Sequence, residues 1–136
     1  MRTKQRNNLA ETACHERVAQ NTDVYAVKAR NYKGLRRGSP VFCRNNWHIH
    51  HAKSGGGQIL VCVAGRGYYQ EWGKPAQELR PGSVVNIPVG VKHWHGAAPD
   101  SWFSHLAVEV PGDETSNEWL EAVDNTVYFK ATGKEA

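Results

Sequence analysis

No stretch of this chain approaches the roughly 18 to 20 consecutive apolar residues that cross a bilayer, so the sequence offers no candidate membrane helix. Met1 to Ala13 is polar and basic and lacks the central apolar stretch of an export signal. The expectation is a cytoplasmic protein without membrane association. Cysteine is also scarce. Cys14, Cys43 and Cys62 form no CxxC pair, and an odd number at wide spacing supports neither a disulfide framework nor a cysteine-rich zinc site. Reduced thiols are expected. Acidic residues are short only at one end: residues 1–46 hold ten Lys or Arg against three Asp or Glu, whereas residues 47–136 hold seven against ten. The net charge of +4 is therefore a property of the first third. That segment is Asn-rich and weakly periodic, and its few aromatics, Tyr25, Tyr32 and Phe42, form no interleaved pattern, which reads as a solvated arm more than as a nucleic-acid-binding tail. Internal repeats and long low-complexity tracts are missing as well.

What is present fits one domain of 136 residues, large enough for a hydrophobic core and too small for two. Its organisation reads as a basic arm or edge-strand segment over 1–42 and a folded domain over 43–136. From Gln58 onward short apolar runs are punctuated by glycine and proline, as in antiparallel strands joined by tight turns. Gln58 to Ala64, Tyr68 to Trp72, Ala76 to Leu79, Ser83 to Ile87, His93 to Ala97 and Trp102 to Val110 read as strands, with Val24 to Ala29 a further candidate. A spacing near ten residues suits an all-β sandwich or barrel better than alternating strands and helices. One helix is expected over Asn117 to Val123, with Thr115 or Ser116 as its cap and Glu118 completing a capping box after Thr115.

Histidine is the residue in excess, with seven copies, six of them between positions 48 and 105. His48-Ile49-His50 places two imidazoles at i and i+2, which on a strand share one face and can share one metal ion. The opposing reading is a set of separate polar residues, each hydrogen-bonded locally. The balance shifts with Gln58 opening the next strand and His93 opening a later one, because three imidazoles and an amide oxygen suit a divalent first-row metal. His95 shares parity with His93, and His105 lies on the neighbouring strand. An imidazole beside such a centre suits proton transfer near neutrality, or else it orients a ligand. Trp47 and Trp94 precede inward histidines and should face away from them. Cys62 shares the parity of Gln58, as a filler or a pocket residue. Tyr68 and Tyr69 present opposite faces.

The framing around these residues is specific. His48, His50, Gln58 and Gly65 form one unit, and Gly82, Pro88, Gly90 and His93 form a second, G-x5-P-x-G-x2-H. Together they resemble the two motifs of the cupin superfamily. The wording WHIH, RPG, KHWHGAAP and SHLAVE is more particularly similar to small single-domain bacterial cupins related to carboxymuconolactone decarboxylase and to manganese-dependent hydroxynitrile lyases. The resemblance covers roughly residues 43 to 124. It implies a double-stranded β-helix, or jelly-roll barrel, a short C-terminal helix and metal ligands at His48, His50, Gln58 and His93. Manganese is the first expectation, with iron, zinc or nickel as alternatives.

The departures are Phe42 and Ala97, which stand where the motifs have glycine and asparagine, and the seven-residue loop His51 to Gly57, which could bring His51 or Lys53 over the pocket mouth. Gln58 stands where many cupins carry Glu, leaving the site one negative charge poorer and the metal a stronger Lewis acid. The implied activity is C–C bond cleavage, decarboxylation or isomerisation of a small oxygenated molecule, with His95 and His105 moving the proton, in a homodimer. The alternative is a non-catalytic module that binds metal and a small ligand.

Overall fold

Residues 15–20, 24–29 and 42–133 are described by the computed structural model. Among them the strands are β1 (His15–Gln20), β2 (Val24–Ala29), β3 (His48–His51), β4 (Ser54–Gly55), β5 (Gln58–Gly65), β6 (Gly67–Glu71), β7 (Gln77–Leu79), β8 (Val84–Ile87), β9 (His93–Ala97), β10 (Phe103–Glu109), β11 (Gly112–Asp113) and β12 (Ser116–Trp119). One helix, α1 (Asn125–Thr132), follows them. The first sheet has the order β1-β2-β10-β5-β8 and the second β12-β3-β9-β6-β7, and β4 pairs with β11 in a small ribbon. Every pairing is antiparallel. This is the all-β double-stranded helix that the motifs imply, and β2 and β9 have the expected bounds. Most of residues 1–42 lies outside the described residues; β2 pairs with β10 in the first sheet, and β1 pairs with β2 beyond it.

Period-two alternation decides which side chains meet. From the first sheet Leu60, Cys62, Val85, Ile87, Phe103 and Ala107 point inward, and from the second Tyr69, Leu79 and Ala97 meet them in one apolar cluster. A second cluster lies on the outer face of the second sheet, where Trp47, Tyr68, Trp94 and Ala98 pack against Val123 and Tyr128. β9 is thus buried on both faces. The Tyr128 hydroxyl donates to the Ala97 carbonyl at 2.7 Å, fastening α1 to that strand. Gly96 explains a close crossing: a Cβ there would meet the Cys43 carbonyl oxygen at 2.5 Å. The chain before β3 runs over β9 at this point, with Ala97 N–H donating to Cys43 O and Asn45 N–H to His95 O.

Two expectations are corrected. The helix does not begin at Asn117. Ser116–Trp119 is strand β12, paired with β3 so that Asn117 faces His50 and Trp119 faces His48. Glu118 does not close a capping box, because its carboxylate is bound to His51 at 2.7 Å. The open edge of β3 offers the 116–119 backbone a full ladder of partners, and sheet pairing overrides the local capping pattern. The helix starts later, capped by Asp124, whose carboxylate accepts from Val127 N–H at 2.8 Å, and ends at Gly133 in the left-handed conformation. The second correction concerns thiols: Cys62 is free and buried, but Cys43 is disulfide-bonded.

Candidate metal centre

β3 and β9 lie side by side in the second sheet, with His48 opposite His93. Alternation sends His48, His50, His93 and His95 into the interior, where all are buried. The ligating nitrogens of His48, His50 and His93 lie within 4.8 Å of one another, and the His48 and His93 rings are 4.1 Å apart between centroids. Each ring is held by an oxygen on its Nδ1 side. His48 Nδ1 is 2.9 Å from the Asn46 carbonyl, His50 Nδ1 is 2.6 Å from Asn117 Oδ1, and His93 Nδ1 is 2.8 Å from the Val91 carbonyl.

Carbonyl oxygens only accept, so in each neutral ring the proton is on Nδ1 and Nε2 keeps its lone pair. The Nε2 atoms of His50 and His93 are buried without a hydrogen-bond partner, which is a costly arrangement for a purely structural imidazole. Burial holds the His93 pKa down at about 4. Burial, reinforced by the His93 charge, pushes His48 well below its ordinary value. Neutral imidazoles with converging lone pairs and oxygen-anchored far nitrogens are the donor set of a first-row metal site. The residues therefore fit a divalent ion.

Gln58 enters the interior from the opposite sheet, buried at the start of β5. Gly57, just before it, has φ +98° and approaches the Ile87 carbonyl so closely that a Cβ would lie 2.6 Å from that oxygen. The residue before Gln58 must be glycine for β5 to start here. The Gln58 Nε2 group donates to Glu109 Oε1 at 2.9 Å.

His95 lies beside the three-imidazole group, with ring centroids 5.8 Å from His48 and 6.4 Å from His93. Asn45 grips it twice: Asn45 Oδ1 accepts from the His95 backbone N–H at 2.9 Å, and Asn45 Nδ2 is 3.0 Å from His95 Nε2. An amide nitrogen donates, so His95 Nε2 accepts and the neutral ring holds its proton on Nδ1. His105, fully buried on β10, is edge-on to His95 at 5.0 Å.

Trp47 and Trp94 face away from the histidines, into the cluster under α1. Tyr69 lies on the inner face, its ring 5.7 Å from His93 and its hydroxyl donating to Glu71 at 3.2 Å. Cys62 is part of the apolar core. The loop after β3 folds back as the β4–β11 ribbon. His51 is exposed and lines a cleft of about 390 Å³ together with His50, Gly57, Glu109, Ser116 and Asn117.

Asn45, Asn117 and Glu109 escaped the sequence reading. The signal for Asn117 and Trp119 is period-two alternation over 116–119, which sets both opposite the histidines of β3. Trp119 stacks on His48 at 4.6 Å.

No family model matches the chain. A curated relative, the (R)-mandelonitrile lyase of Granulicella tundricola, is 40% identical over 85 residues, 62% of this chain and 62% of that protein. The chain thus spans less than two thirds of this relative's length. A double-stranded β-helix protein from Klebsiella pneumoniae superimposes with a TM-score of 0.54 at 15% identity, covering 85% of this chain and 90% of that one. A cupin-like protein from Thermotoga maritima superimposes with a TM-score of 0.62 at 36% identity, covering 83% of this chain and 76% of that one. With the fold, the motifs and this relative in agreement, the chain belongs to the cupin superfamily.

Proposed function

We propose that this cupin is a metal-dependent enzyme that cleaves, decarboxylates or isomerises a small oxygenated molecule, with carbon–carbon bond cleavage of a cyanohydrin the first choice. The observation that carries the reading is the convergence of His48, His50 and His93, each with Nδ1 held by an oxygen. Gln58 is the fourth ligand in this reading, and manganese the first metal to test, ahead of iron, zinc and nickel. When bound, such an ion supplies Lewis acidity toward a substrate oxygen.

The chain's own part is binding and proton transfer. Opening a cyanohydrin breaks the bond between the carbinol and nitrile carbons; the electron pair leaves with cyanide, the hydroxyl loses a proton and cyanide gains one. The His95 ring takes the hydroxyl proton on Nε2, which keeps its lone pair, and as imidazolium gives the Nδ1 proton to cyanide, ending neutral. His105, edge-on to His95, is the neighbour through which that proton can be exchanged. The buried interior keeps water from the reacting atoms. The relative named (R)-mandelonitrile lyase supports a nitrile-bearing substrate.

The reading also carries a cytoplasmic homodimer. Val63 and Val84, exposed on the outer face of the first sheet, are the apolar surface in favour of a dimer, which sedimentation would test.

The deciding experiment is metal analysis of the purified protein, followed by a screen of hydroxy, keto and nitrile compounds, mandelonitrile included. One divalent ion per chain with turnover of a member of the screen is expected. A fully loaded protein that binds these compounds without converting any would instead be a binding module.

A further inference from the structure

We propose that Glu109 is a positioning residue of the metal site, supplying through a hydrogen bond the negative charge that Gln58 lacks. The inference rests on the proposed ligand role of Gln58. Glu109 ends β10 directly opposite Gln58, which begins β5. On paired antiparallel strands such residues share a face, so both look toward the interior. The Glu109 carboxylate accepts from Gln58 Nε2 at 2.9 Å.

A carboxylate oxygen cannot donate while it is ionised, so this bond decides the orientation of the amide: nitrogen toward Glu109, oxygen on the opposite branch. That oxygen is the only atom of Gln58 able to ligate a cation. Glu109 is not part of the group formed by His48, His50 and His93, so it acts through the amide. Hydrogen-bonding a carboxylate to the Nε2 group pushes electron density toward Oε1 and makes it a better donor. The arrangement amounts to a ligand carboxylate moved outward by one side chain.

The same device appears on the neighbouring ligand. His50 Nδ1 is held by Asn117 Oδ1 at 2.6 Å, and Asn117 and Glu109 line one cleft of about 390 Å³ that also reaches His50. One partner is neutral and the other carries a charge. The cleft therefore has an anionic partner behind Gln58 and an amide behind His50.

The test is Mn²⁺ affinity of the demetallated full chain, measured by competition with a chelator, alongside the Mn²⁺ electron paramagnetic resonance spectrum. Glu109→Gln keeps an acceptor for the Gln58 amide but removes the charge, and should weaken binding about 10-fold. Glu109→Ala removes both and should weaken it toward 100-fold, the usual range for such outer partners. Gln58→Glu combined with Glu109→Gln returns the charge to the ligand itself and should recover parent affinity. Both single Glu109 variants should shift the spectrum, which a purely structural contact would leave unchanged. Parent affinity in Glu109→Gln and Glu109→Ala, with binding lost in Gln58→Ala, would overturn the role of Glu109 while leaving Gln58 a ligand. Parent affinity in Gln58→Ala would overturn the ligand reading, and the inference with it. A double variant that stays weak would overturn charge as the quantity that matters.

Discussion

β9 presents the interior with His93 and His95 and presents α1 with Trp94, on alternate residues of one backbone. The outward side is ordinary core: Trp94 is fully buried against Tyr128, and its indole N–H donates to Gln70 at 2.9 Å. The inward side buries imidazoles whose Nε2 atoms, at His50 and His93, are without a hydrogen-bond partner. Stability is gained on one face and spent on the other, and the strand keeps its place because the helix side holds it. The difference predicts that changes on the histidine face remove chemistry without unfolding the chain, whereas changes under the helix do the reverse.

The largest expected effect is on the inward face. His48→Ala with His50→Ala should abolish metal binding, measured by elemental analysis, while circular dichroism retains the β spectrum. The strands' apolar packing does not include these rings. Unfolding of that variant would erase the distinction between the faces.

His95→Ala comes next. It should leave metal content near that of the parent and lower turnover of the best substrate by roughly 10² to 10⁴-fold, the scale for losing a general acid or base. His95 is outside the group formed by His48, His50 and His93, and its Nε2 is turned to the Asn45 amide at 3.0 Å, which keeps it out of the ligand group. Metal loss would make it a ligand, and unchanged turnover would make it structural.

On the outward face, Trp94→Ala should cost about 3 to 5 kcal/mol, as for large aromatic truncations in a core. Denaturant midpoints measure it. The metal-binding stoichiometry of the folded fraction should be unchanged.

The smallest effect sharpens the comparison through pH. In the metal-free chain His93 has a pKa of about 4 against about 6.5 when unfolded. Between those values the unfolded chain binds more protons, so stability is complete above about pH 6.5 and falls as pH drops toward 4. At 1.36 kcal/mol per pKa unit the gap is worth about 3 kcal/mol, and His48 acts in the same direction. Denaturation of the metal-free protein across that window should show the loss, and His93→Gln should lessen it, leaving the share of His48. A flat profile in the parent would contradict the burial argument.

The histidine face was legible in the sequence because a period of two is rigid. Once His48-Ile49-His50 is a strand, both rings must share a side, and the Gly82 to His93 framing places the third beside them. β9 and β10 were legible for the same reason. The segment 116–119 was not, because a capping box is a local pattern and the competing edge of β3 is formed by residues more than sixty positions away. Asn45 and Glu109 were illegible for a related reason. Each acts through register with a distant strand, and nothing in its own neighbourhood marks it.

The most direct test of the account is a crystal structure of the metal-loaded protein with anomalous data at the metal's absorption edge. The account predicts one peak per chain, roughly 2.0 to 2.3 Å from the Nε2 atoms of His48, His50 and His93, with Gln58 Oε1 in the same shell and His95 outside it. A peak elsewhere, or one with His95 in place of Gln58, would contradict it.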